Sequence, residues 1–216
     1  MTNRKLGRLS AVALSAVILG ACSGGDSPAG PTGGGNSPTG EPGASFEASE
    51  SAALASVTEV TFTASTGGLA SYEWDFGDGG KASGQTVRKT YEKAGSYQVA
   101  LRVTDARGAS ASSSSSFAVK SLDALWDDAA QQYGVKLTQN GQALRGRTVF
   151  KIRNLTGATT GNVDSDMRIT YSTDYGPGLS DSFEGRLDPG LDRITGKLTL
   201  HIFGTPFGFN MNFVRK

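Results

Sequence analysis

Residues 72–79 read Tyr72-Glu73-Trp74-Asp75-Phe76-Gly77-Asp78-Gly79, and their pattern decides the fold. Tyr72, Trp74 and Phe76 alternate with Glu73 and Asp75, the period of a strand with one face in a core and the other in water. The run then meets Gly77-Asp78-Gly79-Gly80. Glycine accepts positive φ there and aspartate offers an acceptor to nearby amides, so a turn is predicted. Upstream, Val60, Phe62 and Ala64 alternate with Thr61 and Thr63. Downstream, Tyr97, Val99, Leu101 and Val103 alternate with Gln98, Ala100, Arg102 and Thr104. Several short period-two strands separated by turn residues are the signature of a β-sandwich. The serine run 112–116 extends it as a solvent-facing last strand, because Phe117 and Val119 resume the alternation.

The stretch 72–79, together with Thr90-Tyr91, Gly95, Tyr97, Val99, Leu101, Val103-Thr104-Asp105 and Gly108, resembles a PKD domain, an Ig-like β-sandwich. The resemblance covers about a third of the chain and sets a domain over residues 45–120. It implies that Trp74 and Tyr97 are core, that Asp75 and Asp78 brace the turn, and that Asp105 closes its strand before the next hairpin. Lys89 departs from the pattern, since many members carry histidine there. It also implies a spacer, or a contact to protein or polysaccharide. Two carboxylates, Asp75 and Asp78, fall well short of the six to eight oxygens that calcium takes, so turn capping is the expected role.

Residues 121–216 are read from pattern alone. Tyr133, Val135 and Leu137 alternate up to Asn140-Gly141, the strongest short hairpin signal, and Leu144, Gly146, Thr148, Phe150 and Ile152 form the return strand. Further strands follow at Met167, Ile169 and Tyr171; at Phe183, Gly185 and Leu187; at Ile194, Gly196, Leu198, Leu200 and Ile202; and at Phe207, Phe209, Met211 and Phe213. With one around Trp126, about seven strands joined by short turns predict an antiparallel meander closed into a small β-barrel. Gly146, Gly185 and Gly196 fall on inward positions, where barrel strands bend. The pattern resembles the small calycin or lipocalin-like barrels. If the barrel is open at one end, Tyr171, Phe203, Phe207, Phe209 and Met211 line a pocket for an apolar ligand; if it is filled, they are its core. Arg145, Arg147, Lys151 and Arg153 read as a solvated edge strand guarded by charge, or else as a surface for phosphate or an acidic polysaccharide.

The amino terminus carries Arg4, Lys5 and Arg8 and then an apolar run from Leu9 to Leu19, too short to span a bilayer. It reads as a signal peptide over residues 1–21. The run ends in Leu19-Gly20-Ala21-Cys22, which resembles the bacterial lipobox. The resemblance implies diacylglyceryl on the Cys22 sulfur, cleavage before it, and a membrane partner reached through that lipid. Ser23, where aspartate would retain an inner-membrane lipoprotein, points to the outer membrane of the cell envelope if the organism has one. Residues 22–44 are almost wholly Gly, Pro, Ser, Thr and Ala, too polar to form a core, and serve as a tether with a span of ~25 Å.

The 216 residues carry 21 basic and 20 acidic side chains, so there is no broad positive field for nucleic acid. Cys22 is the only cysteine and His201 the only histidine, which removes the parts for a nucleophilic triad or a zinc site. Asp181 and Glu184 are conceivable as a hydrolase pair, though their spacing singles out no site. The sequence therefore predicts an all-β, non-catalytic surface lipoprotein without cofactor or metal, in contact with protein or polysaccharide. The rival expectation is a lipocalin-like carrier of a small apolar ligand.

Overall fold

The computed structural model describes residues 42–128, 130 and 132–216. The expected signal peptide, Cys22 and the tether through residue 41 lie outside the described residues.

The alternating stretches become strands of two sheets. One runs in the order β1 (Phe46–Ala48), β3 (Val60–Ala64), β6 (Thr86–Lys89). The other runs β2 (Ala52–Leu54), β8 (Ser110–Lys120), β7 (Gly95–Thr104), β4 (Ser71–Asp75), β5 (Lys81–Ser83). The chain thus changes sheet between β1 and β2, and β2 pairs with β8 in parallel. The turn after β4 forms as its residues predict: Asp75 Oδ1 accepts the Gly77 amide and Asp78 Oδ1 the Gly80 amide, both at 2.9 Å. Gly77 is required there, because its φ is +76° and a Cβ would press on the Gln98 carbonyl. Asp105 Oδ1 accepts the amides of Arg107 and Ala109 in the turn that follows β7.

Contacts divide the described residues into two compact units, one of segments 42–47, 62–87 and 98–116, the other of 48–61, 88–97 and 117–216. The first is built on aromatic packing. Trp74 is buried, meets Phe46 edge to face at 5.3 Å and Phe62 at 6.1 Å, and donates its indole N–H to the Gly84 carbonyl at 2.9 Å. Val99, Leu101 and Val103 are fully buried along β7. Tyr97, in the second unit, is only half-buried: its ring stacks on Tyr91 at 4.4 Å and its hydroxyl donates to the Lys93 carbonyl. The expected core position is thus a boundary one, in which a tyrosine keeps its ring packed and its hydroxyl at the surface.

The second unit contains a closed antiparallel barrel in the order β10 (Tyr133–Asn140), β11 (Ala143–Phe150), β12 (Leu155–Val163), β13 (Arg168–Gly176), β14 (Leu179–Leu187), β15 (Arg193–Ile202), β16 (Thr205–Arg215) and β9 (Ala124–Asp128). Among the described residues this is eight strands, one more than the sequence pattern counts. The extra strand is β12, whose inward residues Leu155, Gly157, Thr159, Gly161 and Val163 include two glycines and a threonine and so hide the apolar period. The β11 strand ends at Phe150, and Ile152 lies exposed in a 3-10 turn, Lys151–Arg153. β11 has a neighbour on each side, so Arg145 and Arg147 project from a wall strand and guard no edge. Trp126, Tyr133, Leu137, Ile169, Phe183, Ile194 and Phe213 form the barrel core, joined by Leu54 and Val57 of the same unit.

Candidate functional site

Strand register aligns the inward side chains in rows across the barrel wall. One row runs Tyr171, Phe183, Leu198, Phe209, and the next runs Thr159, Thr173, Asp181, Leu200, Phe207. Tyr171 is 4 % exposed and stacked on Phe183 at 4.9 Å. Phe209 and Phe207, at the far end of the same rows, are 49 % and 47 % exposed. Met211 is half-buried against the core. Phe203 stands apart in the β15–β16 turn at φ +45°, 85 % exposed, with its amide donating to the Gly178 carbonyl. The structure therefore places Tyr171, Phe207, Phe209 and Met211 on one face and leaves Phe203 outside it. Cys22, the expected lipid site, lies outside the described residues.

Beside these rings lies a polar cluster that the apolar pattern did not single out. Asp181, 1 % exposed, accepts the hydroxyls of Tyr133 at 2.5 Å and Tyr175 at 2.6 Å on Oδ2. Thr148, Thr159 and Thr173 bond to one another at 2.6 to 3.1 Å within the same interior. Among the described residues, Asp181 Oδ1 and the Tyr171 hydroxyl are buried without a hydrogen-bond partner. Burial pushes the Asp181 carboxyl above the ordinary carboxylate range, against the opposing pull of the tyrosine donors. Burial likewise raises the hydroxyls of Tyr133, Tyr171 and Tyr175, so all three stay protonated. The only sequence cue was an aspartate on the inward parity of a strand. Glu184, three residues on, faces the opposite side of β14 and is exposed, so the two carboxylates considered as a hydrolase pair do not meet.

A carboxyl whose folded value is raised stabilises the fold fully below its unfolded value of 3.8, and that contribution is lost as pH rises through the folded value. Denaturant titrations across that range should show wild-type stability falling relative to Asp181→Asn, which cannot ionise. Parallel pH profiles for the two proteins would show that the cluster does not hold the proton.

Elsewhere the candidate residues are scattered. Arg145 and Arg147 point outward from β11, while Lys151 pairs with Asp127 at 3.3 Å. His201 lies half-buried on β15. Among the described residues no group of three or more His, Cys, Asp or Glu side chains is placed to hold a metal. No described helix is long and apolar enough to cross a membrane.

Residues 40–120 match the family model for the PKD domain. Among curated proteins, the collagenase ColQ1 of Bacillus cereus (strain Q1) is 31 % identical over 122 residues, 53 % of this chain and 12 % of the collagenase. The pre-pro-metalloprotease PrtV of Vibrio cholerae is 38 % identical over 72 residues, 33 % of this chain and 8 % of the protease. The chain thus spans about a tenth of the length of these relatives. Of solved structures, the PKD1 domain of Vibrio cholerae PrtV is 33 % identical, covering 36 % of this chain and 94 % of that domain with a TM-score of 0.31. A structure described as carbohydrate-binding modules of the β-sandwich superfamily is 20 % identical, covering 80 % of this chain and 83 % of that one with a TM-score of 0.35. Residues 40–120 thus match the PKD family model and form the strands of a PKD-like β-sandwich.

Proposed function

We propose that this chain is a lipid-anchored protein of the cell envelope whose PKD-like sandwich makes contact with a protein or a polysaccharide, with the barrel as a second, non-catalytic unit. The observation that carries this reading is the PKD match over residues 40–120, directly after a Gly/Pro/Ser-rich stretch that starts at a lipobox-like cysteine. A tether of that composition separates a folded module from the bilayer while leaving it free to reorient, which suits a contact role. Several acyl chains at ~0.8 kcal/mol per buried methylene would hold it durably, and the absence of Asp at residue 23 favours the outer membrane.

Fractionation tests the anchor. The native protein should sediment with membranes and yield an acylated amino-terminal Cys22 by mass spectrometry, whereas Cys22→Ser should move to the soluble fraction. A bare, unmodified Cys22 in the native protein would remove the membrane assignment. For the contact role, cross-linking on intact cells should join peptides from residues 45–120 to an envelope protein or glycan.

A second reading has one observation in its favour: Phe207 and Phe209 lie on the inward face yet are half-exposed, as the wall of a binding mouth would be. It assigns the barrel to a small apolar ligand. Against it, large side chains such as Trp126, Tyr133, Phe183 and Phe213 occupy the interior below. Saturable one-to-one uptake of an apolar fluorescent probe, lost in Phe207→Ser, would favour the carrier.

A further inference from the structure

On one side of β16, β15 covers the strand from Val214, paired with Arg193, to Thr205, paired with Ile202. On the other side β9 reaches only Phe213, Val214 and Arg215. Residues 205–212 therefore present a backbone edge with no strand against it among the described residues. Such an edge is a template for pairing with another strand, and proteins usually blunt it with charge. Here Ile202 to Val214 contains no charged residue; the protective features are Pro206 near the end of the free edge and the Lys197 side chain of β15, which lies over Gly208. Along the strand Phe207, Phe209 and Met211 share one face, and Gly208, Asn210 and Asn212 the other.

This edge fits itself. Antiparallel pairing of two copies about a two-fold axis at Phe209 sets Phe209 opposite Phe209 and Phe207 opposite Met211, with Gly208 opposite Asn210 and Pro206 opposite Asn212. Apolar side chains then face apolar ones, no residue of the two paired segments carries a charge, and the residue without an amide proton falls at the end of the ladder. The geometry points to strand addition between two copies of this chain, an isologous interface formed by residues 205–212 of each, which covers the half-exposed rings of Phe207 and Phe209. It stands independently of the lipid anchor and of the role of the PKD-like sandwich. An extended peptide from another protein would need the same uncharged alternation in the same phase, which a second copy supplies at every encounter.

Sedimentation velocity of the full mature chain over about a hundredfold range of concentration tests it. The wild type should pass from monomer to dimer. Phe209→Lys, which sets two ammonium groups opposite each other, should weaken the dimer about tenfold or more. Asn210→Lys, whose side chain is on the exposed outer face opposite Lys197, should weaken it in the same direction at a cost to the barrel of no more than about 1 kcal/mol. Retained circular dichroism and a cooperative denaturation in Asn210→Lys separate loss of pairing from loss of fold. In a Cys22→Ser background, Phe209→Cys should form an intermolecular disulfide on mild oxidation, and Ala158→Cys, exposed on the outer face of β12, should not. A wild type that stays monomeric at every concentration overturns the proposal. So does a dimer that persists undiminished in both lysine variants, or a monomer whose edge takes up only foreign peptide.

Discussion

Trp74→Ala is expected to lower the stability of the PKD-like sandwich by about 3–5 kcal/mol, the range for removing a buried aromatic side chain from a core. Trp74 is 2 % exposed and lies between Phe46 and Phe62, with Phe76 stacked 6.5 Å away. Alanine would leave a void that two short sheets have little freedom to close, and it would strip the Gly84 carbonyl of its indole donor. Small domains are stable by only about 5–15 kcal/mol, so the variant should lose much of its margin. Urea titration followed by circular dichroism measures the shift. Trp74→Phe, which keeps a ring and loses the hydrogen bond, should fall between the two. A transition for Trp74→Ala at the wild-type midpoint would mean that this aromatic cluster does not hold the sandwich together.

The second large effect is expected at Gly146 on β11, where a Cβ would strike the Lys136 carbonyl and lie 3.1 Å from its carbon and 3.3 Å from the Leu137 Cα. These are backbone atoms of β10, which cannot step aside as a flexible side chain would. Gly146→Val should therefore cost about 3 kcal/mol, at or above the upper end of the usual overpacking range. The strand propensity of valine would work the other way and does not offset a backbone clash. Ala158→Val, on the exposed face of β12 opposite Arg147, is the matched control and should stay within about 0.5 kcal/mol of wild type. Equal thermal midpoints for the two variants would show that the barrel wall has slack at Gly146.

Much of this architecture is legible in the sequence, for reasons that can be assigned to particular residues. The stretch 72–79 marks a strand and its turn because aromatic alternation and Gly-Asp spacing act locally. Asn140-Gly141 marks a hairpin because Gly141 takes a φ of +61° that few other residues accept. β12 escapes the pattern because its inward face accommodates the close neighbouring wall with Gly157 and Gly161, so there is almost no apolar signal to read. Tyr97 is core by the PKD resemblance yet half-buried here, because its place in the alternation gives the direction of the side chain but not its depth.

The aromatic face is legible only in part. Parity puts Phe207, Phe209, Met211 and Tyr171 on the same side of the wall, yet exposure depends on how far each strand extends past its neighbours, and that stagger is set by the closed register. The Asp181 cluster is harder still to foresee. Tyr133, Tyr175 and Asp181 come from three separate strands, and only barrel closure brings the two hydroxyls onto one carboxylate oxygen.

The seam between β9 and β16 also has a temporal meaning. The first and last strands of the barrel close the ring through Phe213, Val214 and Arg215 against Asp128, Asp127 and Trp126. A ribosome delivers those partners at opposite ends of the barrel's sequence, so the ring stays an open ribbon until β16 has emerged. Among the described residues this three-residue latch is the shortest ladder in the wall, and it is where the barrel should first breathe.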